Sequence, residues 1–312
     1  MPGVPFDHSA IGRYASRADW ESSAPSLLAE RLAAWRVSPV AGLHGGVAGM
    51  VLAVETAGGT PAVLKIGYPH DEARWEPVAL SAFGSALAPR IFEEDPDSWS
   101  LLLEQVNPGT QLARAEIPTQ AALRIGGGLH AEIASRNVPD GLPTLRSLVG
   151  EYLRSAGAET GRQGAELRAL GVADTVSDAL GLLERLAADD VPAALVHGDY
   201  NPGNILDSGA GRWRVIDPKP VVGDPCFDLW PLATQLSASQ DSPTSATQLG
   251  ARLEVAAEAA AVDSERSGLW AFARAALSLI WRLAESDQGE PDKAGTRLEA
   301  RLLSAWAEVA RS

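Results

Sequence analysis

The chain has 312 residues, 46% of them hydrophobic and 21% charged, with one cysteine and a formal net charge of −14. That balance is ordinary for a globular protein and excludes a collagen-like, low-complexity or disulfide-stapled chain. The length suits two domains or one large one, with a core that holds without cross-links. The acidity disfavours nucleic acid and anionic membranes, which need clustered Lys and Arg, and favours cationic small molecules, although acidity kept for solubility gives the same number. No run reaches the roughly 18 apolar residues of a membrane helix. The start, Met1 to Asp7, lacks the basic and apolar segments of a signal peptide, so a cytoplasmic protein is expected.

Residues 7–38 read as mainly helical. Leu27, Leu28, Leu32 and Trp35 recur at helical spacing, Ser23 or Ser26 is available as the cap, and Pro39 stops the pattern. From 40 to 66 the period changes. Val51 to Thr56 and Pro61 to Ile66, joined by Ala57-Gly58-Gly59, predict a β-hairpin, and a glycine turn over 44–49 precedes it. The segment 71–83 predicts a helix with Asp71 and Glu72 at its positive end. Trp99 to Glu104 predicts a short buried strand, broken by Asn107-Pro108-Gly109.

Beyond that break the pattern is helical. One segment runs over 112–133 despite Gly126-Gly127-Gly128, and another over 172–186, with Val176, Leu180, Leu183 and Leu186 on one face. A second small hairpin is predicted from 204–207 and 213–217 around a turn at 208–211. Further helices cover 269–283 and 298–309. The expected division is a strand-rich part, 1–105, followed by a helix-rich part, 106–312.

The densest chemistry lies in His197-Gly198-Asp199, with Asn204 five residues after the aspartate and Asp217 closing the second hairpin. Phosphoryl transfer needs a group to take or orient a hydroxyl proton, and oxygen ligands for magnesium ions that neutralise phosphates. A carboxylate and an amide on one tight loop, with a second carboxylate returned by a hairpin, meet that need. Gly198, Pro202 and Gly203 suit a sharply turned loop. Lys65 stands in an apolar strand, where an ammonium is costly to bury alone and so needs an anion, unless it snorkels to solvent from an edge.

His197-Gly198-Asp199, Asn204 and Asp217 resemble the catalytic segment of the aminoglycoside phosphotransferase family. The continuation Asp217-Pro218-Lys219-Pro220, then Gly223-Asp224-Pro225-Cys226-Phe227-Asp228, resembles its streptomycin 6-phosphotransferase and hydroxyurea phosphotransferase branch. The resemblance spans about 40–235 by landmarks and is dense over 195–230. It implies an α+β, bilobal protein-kinase-like fold with a small antiparallel-sheet N-lobe and a larger, mainly helical C-lobe.

It also implies ATP, with GTP not excluded, and Mg2+ as cofactors. The acceptor implied is a small molecule, a cationic antibiotic such as streptomycin, or alternatively hydroxyurea, another natural-product antibiotic or a metabolite alcohol. Asp199 would be the catalytic base, and Asn204 and Asp217 the metal ligands. His197 would brace the loop rather than shuttle protons, and Asp228 would anchor the loop backbone. Lys65 would reach the ATP phosphates and pair with Glu76, or alternatively Glu72. Gly45 and Gly46 would lie over the phosphates, and the stretch from Glu104 to Val106 would hold adenine. Asp224, Glu285 and Asp287 are the candidate acids for a cationic acceptor, and Tyr200 and Trp230 either stack on it or pack in the core. Lys219 meets a phosphate or a local carboxylate, while His130 and Cys226 are expected to be structural.

Overall fold

The computed structural model describes residues 3–14, 16–42, 49–236, 245–286 and 292–312, and these divide into two compact units. Unit one comprises residues 1–111, 136–142 and 204–220; unit two comprises 112–135, 143–203 and 221–312.

Unit one opens with helix α1 (Arg17–Trp35). Its cap is Ser16 rather than Ser23 or Ser26, because Ser16 is extended and its hydroxyl accepts the Asp19 N–H. The helix ends before Pro39: Arg36 turns left-handed at φ 54°, and strand β1 (Val37–Gly42) begins where the sequence pattern suggested more helix. Pro39 is tolerated there because β1 is the edge of the sheet, where a missing N–H need not break an interior ladder. The predicted hairpin forms as β2 (Gly49–Thr56) and β3 (Pro61–Gly67), with Val54 opposite Ala62.

Helix α2 (Glu76–Phe83) is shorter than predicted. Residues 71–73 form a separate 3-10 turn, and the chain re-enters helix only after Trp75. Strand β4 (Ile91–Asp95), which the sequence pattern did not reveal, pairs with β5 (Ser100–Glu104), giving the order β1-β2-β3-β5-β4. Alternation along β3 puts Ala62, Leu64 and Ile66 into a core with Trp20, Ala24, Val37, Val54 and Leu102. Lys65 is thereby turned to the opposite face.

Unit two contains α3 (Thr119–Ala134), α4 (Leu145–Ala169) and α5 (Ala173–Ala188). The three glycines do not interrupt α3. A Cβ on Gly127 would stand 2.4 Å from the Ala256 carbonyl oxygen, and one on Gly126 would stand 2.6 Å from Leu232. Gly126 and Gly127 are where neighbouring helices approach too closely for a side chain. Strand β6 (Ala194–Val196) leads into the segment His197-Gly198-Asp199.

The second predicted hairpin, β7 (Ile205–Asp207) and β8 (Trp213–Val215), clusters with unit one rather than with the helices that flank it in sequence. The Asp207 N–H donates to the Thr110 carbonyl and the Val215 N–H to that of Leu87, so the hairpin is hydrogen-bonded into the strand-rich unit. Strand β9 (Val221–Gly223) returns to pair with β6 in unit two. Helices α6 (Leu229–Gln235), α7 (Ala246–Ala260), α8 (Ser264–Ser286) and α9 (Lys293–Val309) complete it around a core that includes Phe227, Trp270, Ile280 and Trp306. Among the described residues no helix is long and apolar enough to cross a membrane.

Candidate active site

In unit one, β3 presents Lys65 to two carboxylates. Its ammonium lies 2.7 Å from both oxygens of Glu76 and 2.5 Å from Oδ1 of Asp217. Glu76 holds the first position of α2 and is 2% exposed. Burial works against the charge on Lys65, but the two carboxylates outweigh it and raise the ammonium above its ordinary value. Burial, with Asp217 nearby, pushes Glu76 up to about 7 despite the attraction of Lys65. Glu72 is not the partner of Lys65. Its carboxylate meets Lys219 at 3.3 Å, a local ion pair.

Asp217 takes a left-handed backbone conformation, φ 59°, immediately after β8. Such a conformation is uncommon for a residue with a side chain, though Asp tolerates it better than most, and it tends to mark functional turns. The Ile216 N–H donates to the Asn204 carbonyl at 2.9 Å, which ties the start of the hairpin to its end. Asn204 and Asp217 thus supply an amide oxygen and a carboxylate from one hairpin. Oxygen donors in so small a number fit an ion that keeps water and phosphate oxygens as its other ligands, as Mg2+ does.

Asp199 belongs to unit two. The Asn201 side-chain amide donates to Asp199 Oδ1 at 2.9 Å, and the Gly203 N–H donates to Asn201 Oδ1 at 2.9 Å. Asn201, which sequence reasoning passed over, therefore fixes the Asp199 carboxylate on its loop. An asparagine two residues after the aspartate has the reach for an Asx-type bond, and that spacing was the available signal.

His197 is fully buried, and its Nδ1 accepts the Asp199 N–H at 3.3 Å, a bracing geometry. Asp228, also fully buried, accepts the N–H groups of His197 and Gly198 at 2.8 and 3.1 Å. Gly198 has φ 82°, a conformation that a side chain would strain. Burial pushes Asp228 up to about 7, with Arg274 and the two amide donors pulling the other way. Arg274 lies 47 residues beyond Phe227, whose carbonyl it also binds, and no local pattern in the sequence points to it.

Two acceptor candidates have partners within unit two, and for Tyr200 this is the core-packing alternative. Tyr200 is fully buried and its hydroxyl donates to the Gly126 carbonyl at 2.6 Å, with the His130 and His197 rings set edge-on against it. Asp224 is 4% exposed, and its carboxylate accepts the Cys226 N–H at 3.0 Å, Arg266 at 2.5 Å and the Trp270 indole at 2.6 Å. Both side chains are committed inside unit two.

Trp230 is 9% exposed beside Arg274, whose guanidinium carbon lies 5.3 Å from its ring centre. Glu285 is exposed on α8. Cys226 is buried, which raises its thiol to about 12, and burial lowers His130 to about 4, so both read as structural. In unit one, Val106 is buried, and the Glu104 side chain meets Arg214 at 3.1 Å and Arg90 at 3.2 Å. Gly45, Gly46 and Asp287 lie outside the described residues.

Residues 34–286 match the sequence profile of the aminoglycoside/hydroxyurea antibiotic resistance kinases. The chain is 30% identical over 270 residues to a hydroxyurea phosphotransferase from Kitasatospora aureofaciens, covering 86% of this chain and 76% of that one. It is 28% identical to a streptomycin 6-kinase from Streptomyces griseus, covering 91% and 90%. Among solved structures, a choline kinase from Streptococcus pneumoniae superposes with a TM-score of 0.65 at 16% identity, over 91% of this chain and 99% of that one. A spectinomycin phosphotransferase crystallised with ADP and spectinomycin gives 0.56 at 11% identity, over 92% and 98%. The fold is therefore the α+β, bilobal protein-kinase-like one. With the matched segment running from before the sheet through residues 197–217 and to the end of α8, the chain belongs to the aminoglycoside/hydroxyurea antibiotic resistance kinase family and is a phosphotransferase.

Proposed function

We propose that the protein transfers the γ-phosphoryl group of ATP to a hydroxyl of a small cationic antibiotic, with streptomycin the first acceptor to test. The observation that carries this reading is Lys65 held between Glu76 and Asp217, a cation fixed by one carboxylate on the adjoining helix and by the residue expected to ligate metal. Lys65 binds and orients the nucleotide phosphates, and Glu76 keeps its ammonium charged and in place. Asn204 and Asp217 would hold Mg2+, which when bound neutralises phosphate charge. Asp199, its carboxylate fixed by Asn201, accepts the proton of the acceptor hydroxyl as that oxygen attacks phosphorus. The buried Asp228 holds the backbone that carries Asp199. Phosphorylation adds negative charge to the acceptor and removes a hydroxyl donor, a change expected to weaken binding to the antibiotic's target.

The net charge of −14 supports a cationic acceptor. Hydroxyurea, which is neutral, is the second reading, and the 30% identity to a hydroxyurea phosphotransferase favours it. ADP release over a panel containing streptomycin, other aminoglycosides, hydroxyurea and simple alcohols separates the two, with product mass and phosphorus NMR locating the phosphate. Release is expected only with an acceptor present and is expected to vanish in Asp199→Ala. Unchanged turnover in that variant, or no acceptor-dependent release across the panel, would refute the proposal.

A further inference from the structure

Helix α8 carries a partly exposed tryptophan that the mechanism above does not use. Trp281 is 36% exposed, and its ring meets Tyr152 of α4 at 76° with centroids 5.1 Å apart. A single exposed tryptophan means little by itself. Three further features set this one apart. Glu285, one helical turn onward and so on the same side of α8, is exposed and has no ion pair among the described residues. The neighbouring Arg282 does not turn the patch positive, because its guanidinium meets Asp292 at 3.1 Å and Glu299 at 3.8 Å. Arg274, which binds the carbonyl of Phe227 next to Asp228, lies seven residues before Trp281. Seven residues are two turns, so the face of α8 that reaches the catalytic-loop anchor is the face that shows Trp281, about 10 Å further along the axis.

A partly exposed indole attracts cations through its quadrupole, and a planar guanidinium can also stack on one. A carboxylate one turn away adds charge attraction and hydrogen-bond acceptors matched to the guanidinium edge. On a chain of net charge −14, these groups complement a cation and have nothing to offer an anion. We infer that Trp281, with Tyr152 behind it and Glu285 beside it, is a recognition site for a guanidinium-bearing group of the acceptor. The site determines which acceptors bind and takes no part in the chemistry. The inference rests on the proposed function and deepens it, since it selects cationic acceptors over neutral ones.

The test is calorimetric titration of the whole protein with streptomycin, whose guanidinium groups make it the probe, without nucleotide. Trp281→Ala is expected to weaken binding about tenfold, and Trp281→Phe to weaken it less, with both melting near the wild type. Glu285→Gln should weaken it severalfold. In turnover, the same variants should raise KM for streptomycin while leaving kcat, KM for ATP and any turnover of neutral hydroxyurea unchanged. The indole N–H resonance of Trp281, assigned by its absence in Trp281→Phe, should move when streptomycin is added. Unchanged streptomycin affinity in Trp281→Ala, or a wild-type protein that does not bind streptomycin, would overturn the inference. Binding that depends on Trp281 without acceptor-dependent ADP release would instead sink the proposed function and leave the recognition site standing.

Discussion

The carboxylate of Asp228 accepts the backbone N–H of His197 at 2.8 Å across 31 residues of chain, and both residues are fully buried. The same carboxylate takes the Gly198 N–H. Asp199 follows directly on these two amides, so its position depends on a buried carboxyl group held on a separate segment of chain.

Replacing Asp228 by Asn turns one acceptor oxygen into a donor facing an amide N–H. A buried amide left without a partner costs about 1–3 kcal/mol. Asp228→Asn should therefore lower the unfolding free energy measured by urea melts by that amount and reduce kcat with the loosened loop. A variant as stable and as active as the wild type would remove the anchoring role.

The pH dependence of stability follows from the same carboxyl. Asp228 is raised from 3.8 to about 7 in the folded protein, chiefly by burial, so the folded state holds its proton more tightly than the unfolded chain does. Its contribution is then fully present below about 4, declines as pH rises, and is lost once pH passes about 7. Urea melts of wild type and Asp228→Asn from pH 4 to 8 should show the mutant's deficit shrinking toward high pH. A deficit that grows with pH would reverse the assigned direction.

Lys65→Met leaves Glu76 and Asp217 without the cation between them. Loss of a preorganised charge of this kind costs on the order of 10²-fold or more in kcat. Glu76→Gln keeps Lys65 on Asp217, so a smaller loss is expected, seen mainly as a raised KM for ATP. Steady-state kinetics with varied ATP would check both, and a Glu76→Gln effect confined to the acceptor KM would contradict the arrangement.

Asp199→Asn preserves the size of the side chain and removes the base. Activity should fall by about 10²–10⁴-fold, with melting temperature little changed, since a general base contributes in that range. ADP release and thermal melts on the same preparation separate this outcome from misfolding.

Adjacent glycines on α3 should respond oppositely to alanine. A Cβ at position 127 meets the Ala256 carbonyl at 2.4 Å and the Ala259 Cβ at 2.7 Å, whereas one at 128 meets nothing within 4 Å. Gly127→Ala should destabilise by about 1–3 kcal/mol through forced separation of α3 and α7. Gly128→Ala should stabilise by about 0.5–1 kcal/mol through helix propensity. Paired thermal melts decide it.

The elements legible from the sequence were those whose cause is local. The β2–β3 hairpin announces itself by alternation around a glycine turn, and α5 by its apolar spacing. The segment 197–217 is legible for a different reason: the metal, base and turn chemistry proposed for it would restrict residue type at fixed short spacings. Less of the surrounding fold could be read. β1 was hidden because Pro39 reads as a helix stop when the edge of a sheet tolerates it equally well, and β4 because Ile91 to Asp95 carries too many acids to look like a strand.

By itself, then, the sequence determined the reaction class, through Lys65, Asp199, Asn204 and Asp217. Only the tertiary structure decided which groups surround them. It put Glu76 rather than Glu72 on Lys65, because α2 begins at residue 76 after a separate turn. It set Asp224 and Tyr200 to work inside the helical unit, through partners 42 and 74 residues away. Spacing can specify a ligand set within one loop, but the partner of a buried carboxylate depends on which elements pack together. That packing is settled by burial of apolar faces across the whole chain, and no local pattern records it.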